Sequence, residues 1–318
     1  MKSNENYLNR RSFISSAGIL SGMLLLSPKS LFAQQSSPVT MIIEEARKSP
    51  VVATKLRGNL TLMEGSGGNI LMVSGKKGNL LVDAGIDVSK EKMKVKIAEI
   101  NDAPLQFLIN THWHFDHASG NEWINHEGAQ IIAHENTKKW LSQTTRVDDW
   151  NYTFPAAPQG AIPSKVIGKA HELNFEGQLI KLKHYDPAHT DSDLSVYFPD
   201  VDTLHVADTW WNGYYPFIDY NTGGSIHGMI KAAEENVKAV TDRTLVVPGH
   251  GPIGNKNDLI AYRDMLVNVE SSVAKLKKSG MLLKDVINAK PTKNYDEKWG
   301  EFVIGPDFFT SLVYKGIK

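Results

Sequence analysis

The sequence predicts an α/β fold in which two β-layers pack face to face with helices on the outside. Three observations lead there. Short apolar runs separated by glycine-rich turns occur in both halves of the chain. Each set of runs leads into a segment of helical period. The composition, 41% hydrophobic and 22% charged over 318 residues, is that of a globular chain with ample length to bury a core.

The elements follow in order. "LTLMEGSGGNILMVSGKKGNLLVDAG" gives strands over Leu60–Met63, Ile70–Ser74 and Leu80–Asp83, arranged as a meander. A helix is expected from about Ser89 to Ile100, where Met93, Ile97 and Ile100 fall at helical spacing. "LQFLIN" and "GAQIIAHE" are the next strands, the second followed by a short helix. Between Arg146 and Gly168, with Pro155, Pro158 and Pro163 and little periodicity, a long loop or lid is expected. Strands resume in "LIKLKHY", "LSVYFP" and "TLHVADT", then come a helix from about Ser225 to Val240 and the strand "TLVVPGHG". From Asp258 to near Tyr314 the chain is expected to be mainly helical.

Charge and cysteine content exclude several classes. Basic and acidic residues both number 35, so no global field draws the protein to nucleic acid or to an anionic membrane. Cysteine is absent, which removes disulfides, thiolate zinc sites and cysteine nucleophiles. Any metal must be held by His, Asp or Glu.

The N-terminus reads as an address. Arg10 and Arg11 precede an apolar run, Phe13 to Leu26, that serines and glycines interrupt. The run is too short and too diluted for a membrane span of about 20 apolar residues. It resembles a bacterial twin-arginine export signal over residues 1–33, with cleavage after Ala33 and a single domain over 34–318. The twin-arginine translocase would then be a transient partner, the location periplasmic or secreted, and no stable membrane insertion would remain after cleavage.

"INTHWHFDHASGN", Ile109 to Asn121, places three histidines and an aspartate within six positions. Chance crowding is possible in a chain with 11 His, but neutral imidazole and carboxylate are also the ligands that zinc and its neighbours prefer. The second half supplies further candidates at strand ends and in turns: His189 in "DPAHTDSD", Asp208 in "HVADTW" and His250 in "VVPGHGP". A buried strand delivers its last side chain to the top of the sheet, so these can meet the His-rich loop.

In this order the residues resemble the metallo-β-lactamase-fold hydrolases. The hallmark H-x-H-x-D-H appears as His112, His114, Asp116 and His117, and the later His, Asp and His match His189, Asp208 and His250. The likeness runs roughly from Gly58 to Gly254. It implies a four-layer α/β/β/α sandwich with the site along one edge of the two sheets, and a role for Asp83 of "LLVDAG" in supporting the metal loop. It further implies two zinc ions per chain: one on His112, His114 and His189, a second on Asp116, His117 and His250, with Asp208 bridging. A bridging hydroxide would then attack a carbonyl carbon, with Asp116 orienting it and returning a proton to the leaving group.

The expected substrate is a small molecule with a hydrolysable carbonyl: an ester, lactone, thioester or amide, a β-lactam included. Family β-lactamases that use this motif without a cysteine ligand usually lack a bridging aspartate, so Asp208 makes the chain resemble the broad hydrolase branch that includes glyoxalase II, lactonases and ribonuclease Z. A β-lactamase proper is one alternative. A persulfide dioxygenase with one Fe2+ on the same ligands is another. Elsewhere, His134 is expected to be structural or to support the site, and His184 and His205 to be satisfied within strands. Trp210, Trp211, Tyr214, Tyr215 and Phe217, with Trp113 beside them, are either core or pocket wall.

Overall fold

The computed structural model describes residues 37–318; the signal-peptide expectation for residues 1–33 lies outside them. The chain begins with helix α1 (Pro38–Lys48), which the sequence reading had not assigned although its start is well marked. Ser37 accepts a hydrogen bond from the Val39 amide and Pro38 stands at the first helical position, where its missing N–H has no cost.

Strands β1 (Val52–Lys55), β2 (Leu60–Glu64), β3 (Ile70–Ser74) and β4 (Asn79–Val82) form the predicted meander with one strand added at its edge. Helix α2 (Lys90–Ile100) then carries the chain to β5 (Leu105–Ile109), which pairs parallel to β4. After the short helices α3 (Phe115–Ala118) and α4 (Asn121–His126), β6 (Gln130–His134) extends the parallel half of the sheet. Helix α5 (Glu135–Leu141) follows directly.

The segment expected to be one long loop is not one. It holds a small hairpin, β7 (Thr145–Val147) with β8 (Tyr152–Phe154), and an edge strand, β9 (Lys165–Ile167), that joins β6. Strands of three residues are too short to display a period of two, and the prolines between them read as loop. The resulting sheet has the order β1-β2-β3-β4-β5-β6-β9.

The second sheet contains β10 (Ala170–Phe175), β11 (Gln178–His184), β12 (Leu194–Phe198), β13 (Thr203–Trp211) and β14 (Leu245–His250), in that order. Its first strand was also missed. Its only strongly apolar side chains, Leu173 and Phe175, face the other sheet from within a run of polar residues. Outside lie α6 (Ile226–Ala239), between β13 and β14, and the C-terminal helices α7 (Lys256–Lys278), α8 (Leu283–Asn288), α9 (Asp296–Trp299) and α10 (Pro306–Gly316). Among the described residues, no helix is long and apolar enough to cross a membrane.

Alternation along the strands builds the four layers. Leu71, Val73, Leu80, Val82 and Ile132 of the first sheet meet Ile180, Leu182, Val196 and Phe198 of the second in one buried cluster. Their neighbours Ile70, Met72, Leu81 and Ile131 point the other way, against Met93 and Ile97 of α2 and Trp123 of α4. On the far side, Val206 and Val246 pack with Met229 of α6, Leu266 of α7 and Phe309 of α10. The fold is thus the expected α/β/β/α sandwich, with its central strands buried on both faces and therefore largely apolar.

Candidate metal centre

The site lies where β4, β5, β13 and β14 end. Two residues leave the extended conformation there. Asp83, just past β4, has φ 67°, and Ala207, inside β13, has φ 47° at an irregularity in its pairing with β14. Left-handed backbone at a non-glycine residue is costly and tends to mark functional sites. Here it sets the direction of two carboxylates, Asp83 and Asp208.

Asp83 is fully buried and organises the His-rich loop. Its Oδ1 accepts from the Thr111 amide at 2.8 Å, and its Oδ2 accepts from the Thr111 hydroxyl and from Nδ1 of His117, both at 2.8 Å. A carboxylate oxygen accepts, so Nδ1 of His117 carries a proton and Nε2 is the nitrogen turned into the cluster. The Thr111 hydroxyl, having given its proton to Asp83, accepts from Nδ1 of His112 at 3.1 Å. That turns Nε2 of His112 into the cluster and leaves it bare.

The remaining histidines are fixed in the same manner. Nδ1 of His189 donates to the Phe217 carbonyl at 2.8 Å. Nε2 of His114 donates to Asp219 Oδ2 at 3.0 Å, which turns its Nδ1 inward. His250 is carried by the turn after β14, which Asn69 secures: its amide donates to the Gly249 carbonyl at 2.8 Å and its side chain to Pro248 and Gly251, both at 2.9 Å.

The inward-facing atoms converge. His112, His114 and His189 form one ligand-competent group, His112, His117 and Asp208 a second, and Asp116, His117 and His250 a third. Asp208 lies among all of them: Oδ1 is 3.1 Å from Nε2 of His117, and Oδ2 is 3.4 Å from His250, 3.5 Å from His189 and 3.9 Å from His112. All seven residues singled out in the sequence are therefore brought together, with Asp208 in a bridging position.

Three features fit this donor set to metal. Nε2 of His112 and Oδ1 of Asp208 are buried without any hydrogen-bond partner, a costly state unless something else satisfies them. The inward nitrogens of His114 and His189 face each other at 2.8 Å, a distance at which two lone pairs repel unless a proton or cation lies between them. Space is also reserved: a Cβ at Gly68 would fall 2.1 Å from the His117 ring, and one at Gly249 would fall 1.8 Å from Asp208 Oδ1.

The electrostatics agree. Burial holds the imidazole of His112 well below its ordinary pKa and that of His189 down to about 4, so both remain neutral and able to ligate. Burial also acts against the charged forms of His250 and His117, but the surrounding carboxylates overcome it. Asp208 and Asp116 raise His250 to about 9, and Asp208, Asp116 and Asp83 raise His117 well above its usual range. Asp208 is held well below the carboxylate range despite its burial, mainly by His117 and His250. The carboxylates thus create a demand for positive charge at the centre of the cluster.

The other singled-out residues separate. His205 is buried in β13, where its Nδ1 accepts from the Ala207 amide. His134 caps α5 by accepting from the Asn136 amide, and its ring stacks on His184 at 3.7 Å. Neither His134 nor His184 is in a ligand group. Of the aromatics, Trp211 and Phe217 line the pocket above the cluster. Trp210 and Tyr215 are core, and Tyr214 packs against Phe302. Trp113 sits behind His114 and donates to the Thr222 hydroxyl, so it is not pocket wall.

Sequence reasoning missed Asp219 and most of the pocket wall. Asp219 holds its own turn by accepting from the amides of Asn221 and Thr222 and from the Thr222 hydroxyl. The pattern Asp219-x-x-Thr222-Gly223 is a turn signal that could have marked it. The wall comes from α1 through Ile42, from the β7–β8 hairpin through Val147, Trp150 and Phe154, and from the α9–α10 connection through Phe302 and Val303.

Comparison with known proteins agrees with this architecture. Residues 63–250 match the family model described as the metallo-beta-lactamase superfamily. Hydroxyacylglutathione hydrolase of Pelagibacter ubique (strain HTCC1062) is 23% identical over 170 residues, a match spanning 52% of this chain and 59% of that enzyme's own length. Among solved structures, a metallo-beta-lactamase from Pontibacter korlensis superposes with a TM-score of 0.55 at 19% identity, covering 69% of this chain and 99% of the other. The sec-alkylsulfatase Pisa1 from Pseudomonas sp. superposes with a TM-score of 0.61 at 13% identity, covering 86% and 51%. At such identities the structural likeness speaks to fold.

Proposed function

Because this chain belongs to the metallo-beta-lactamase superfamily, we propose that it is an exported zinc hydrolase that cleaves an ester, lactone, thioester or amide bond at a site of two Zn2+ ions. The observation that carries the reading is the bridging position of Asp208 between the His112–His114–His189 group and the Asp116–His117–His250 group. One carboxylate placed to serve both is an arrangement that suits a binuclear centre. Metal held there would supply a water acidified to about pKa 7 and polarise the substrate carbonyl.

The chain's own residues do the rest. Asp83, Thr111, Phe217 and Asp219 fix the tautomer and aim of four imidazoles before any ligand arrives. Asp116 lines the pocket, with Oδ2 3.2 Å from Nε2 of His250, so it can orient an attacking water and pass its proton to the leaving group. The apolar wall excludes bulk water. Export is supported by the paired Arg10 and Arg11 ahead of an interrupted apolar run.

The test is metal content by plasma emission spectroscopy on freshly purified protein, with turnover of nitrocefin, aryl esters and lactones measured on the same sample. About two zincs per chain with turnover of at least one carbonyl substrate is expected, and His114→Ala or Asp208→Ala should abolish it. One iron per chain, or full activity in metal-free protein, would overturn the reading.

A further inference from the structure

Three peripheral segments, far apart in sequence, converge on the mouth of the metal centre, and what they bring is uniform. Ile42 comes from α1, Trp150 and Phe154 from the β7–β8 hairpin, Phe302 and Val303 from the α9–α10 connection, and Trp211 from the end of β13. Around an empty space of about 550 Å³, which includes its opening to solvent, no lysine or arginine lines the wall among the described residues. Apart from the histidines of the His/Asp cluster, the ionisable side chains in the lining are Asp116 and Asp208, which belong to the same cluster.

We propose that the pocket selects uncharged, apolar acyl substrates, such as aryl or alkyl esters and lactones, and rejects those that carry a carboxylate. The assignment rests on the hydrolase reading above and gives it a substrate class. A carboxylate on the substrate would have to leave water for a wall of indole, phenyl and aliphatic groups with no cation to receive it, and an unpaired buried charge is heavily penalised. Its one source of positive charge would be the metal-binding cluster, where it would compete with the scissile carbonyl. A neutral aryl or alkyl group instead gains from burial against Trp150, Phe154 and Trp211. Cephalosporins and glutathione thioesters both carry carboxylates and belong to the rejected class.

The experiment compares 4-nitrophenyl methyl glutarate with 4-nitrophenyl hydrogen glutarate at pH 7.5 on the metal-loaded protein, the two differing in one remote charge. The neutral ester should be favoured in kcat/KM by about 30-fold or more. Phe302→Lys, at a position 41% exposed on the pocket rim, should narrow that ratio by about tenfold. In parallel, quenching of tryptophan fluorescence by 4-nitrobutyrophenone and by 5-(4-nitrophenyl)-5-oxopentanoate reads binding without hydrolysis. Preferential binding of the neutral ketone with no turnover of either ester would uphold the selectivity and sink the hydrolase reading. Equal or better handling of the anion in either assay, or no binding of either ketone, would overturn the proposal.

Discussion

Asp219 Oδ2 receives the Nε2 proton of His114 at 3.0 Å across 105 residues of chain, and so decides which nitrogen of that histidine faces the metal centre. Its carboxylate stays ionised, below the usual range, because the hydrogen bond and charge of His114 outweigh its burial. Asp219→Ala should therefore weaken zinc binding by about 10- to 100-fold. Zinc titration against a competing chelator measures it, and unchanged affinity would show that His114 needs no partner.

Gly249 makes a sharper prediction. A Cβ there would fall 1.8 Å from Asp208 Oδ1 and 2.7 Å from the carbonyl carbon of Ala207, a residue itself held at φ 47°. Gly249→Ala should cost about 1–3 kcal/mol of stability and displace Asp208 from the ligand groups. Urea unfolding and metal content of the same preparation would reveal both effects; retention of the wild-type midpoint and metal would contradict the geometry.

His134 and His184 close the ends of β6 and β11, one from each sheet, with rings stacked at 3.7 Å. Burial, and secondarily His184, hold His134 down to about 4. Between that value and the ordinary 6.5 the unfolded chain binds a proton that the folded chain refuses. Stability is therefore full above pH 6.5 and is lost as pH falls toward 4, by roughly 1–2 kcal/mol after allowance for solvent screening. His134→Asn, which keeps a capping side chain without a titrating ring, should flatten the slope of unfolding midpoint against pH over that window.

Trp211 lines the pocket with its ring 4.4 Å from that of His250, yet it is in none of the ligand groups. Trp211→Ala should raise KM for an aryl ester by about tenfold with zinc content unchanged. Loss of zinc in this variant would mean that the ring supports His250 and not the substrate.

The sequence alone determined most of the sheet-forming runs and the full set of seven candidate ligands, and its resemblance to a known family implied the four-layer architecture. Four of these stand in one short motif, His189 and His250 stand in or beside Gly- and Pro-marked turns, and Asp208 is the lone acidic residue in an apolar run, so local chemistry revealed them. Only the tertiary structure decided what aims the candidate ligands and what lines the pocket. Asp219 reaches His114 from 105 positions away, and the aromatic wall gathers side chains from α1, the β7–β8 hairpin and the α9–α10 connection. An apolar residue bound for a pocket has the same period and composition as one bound for the core. The two are separated only by where the chain folds back, which long-range packing sets and no local pattern records.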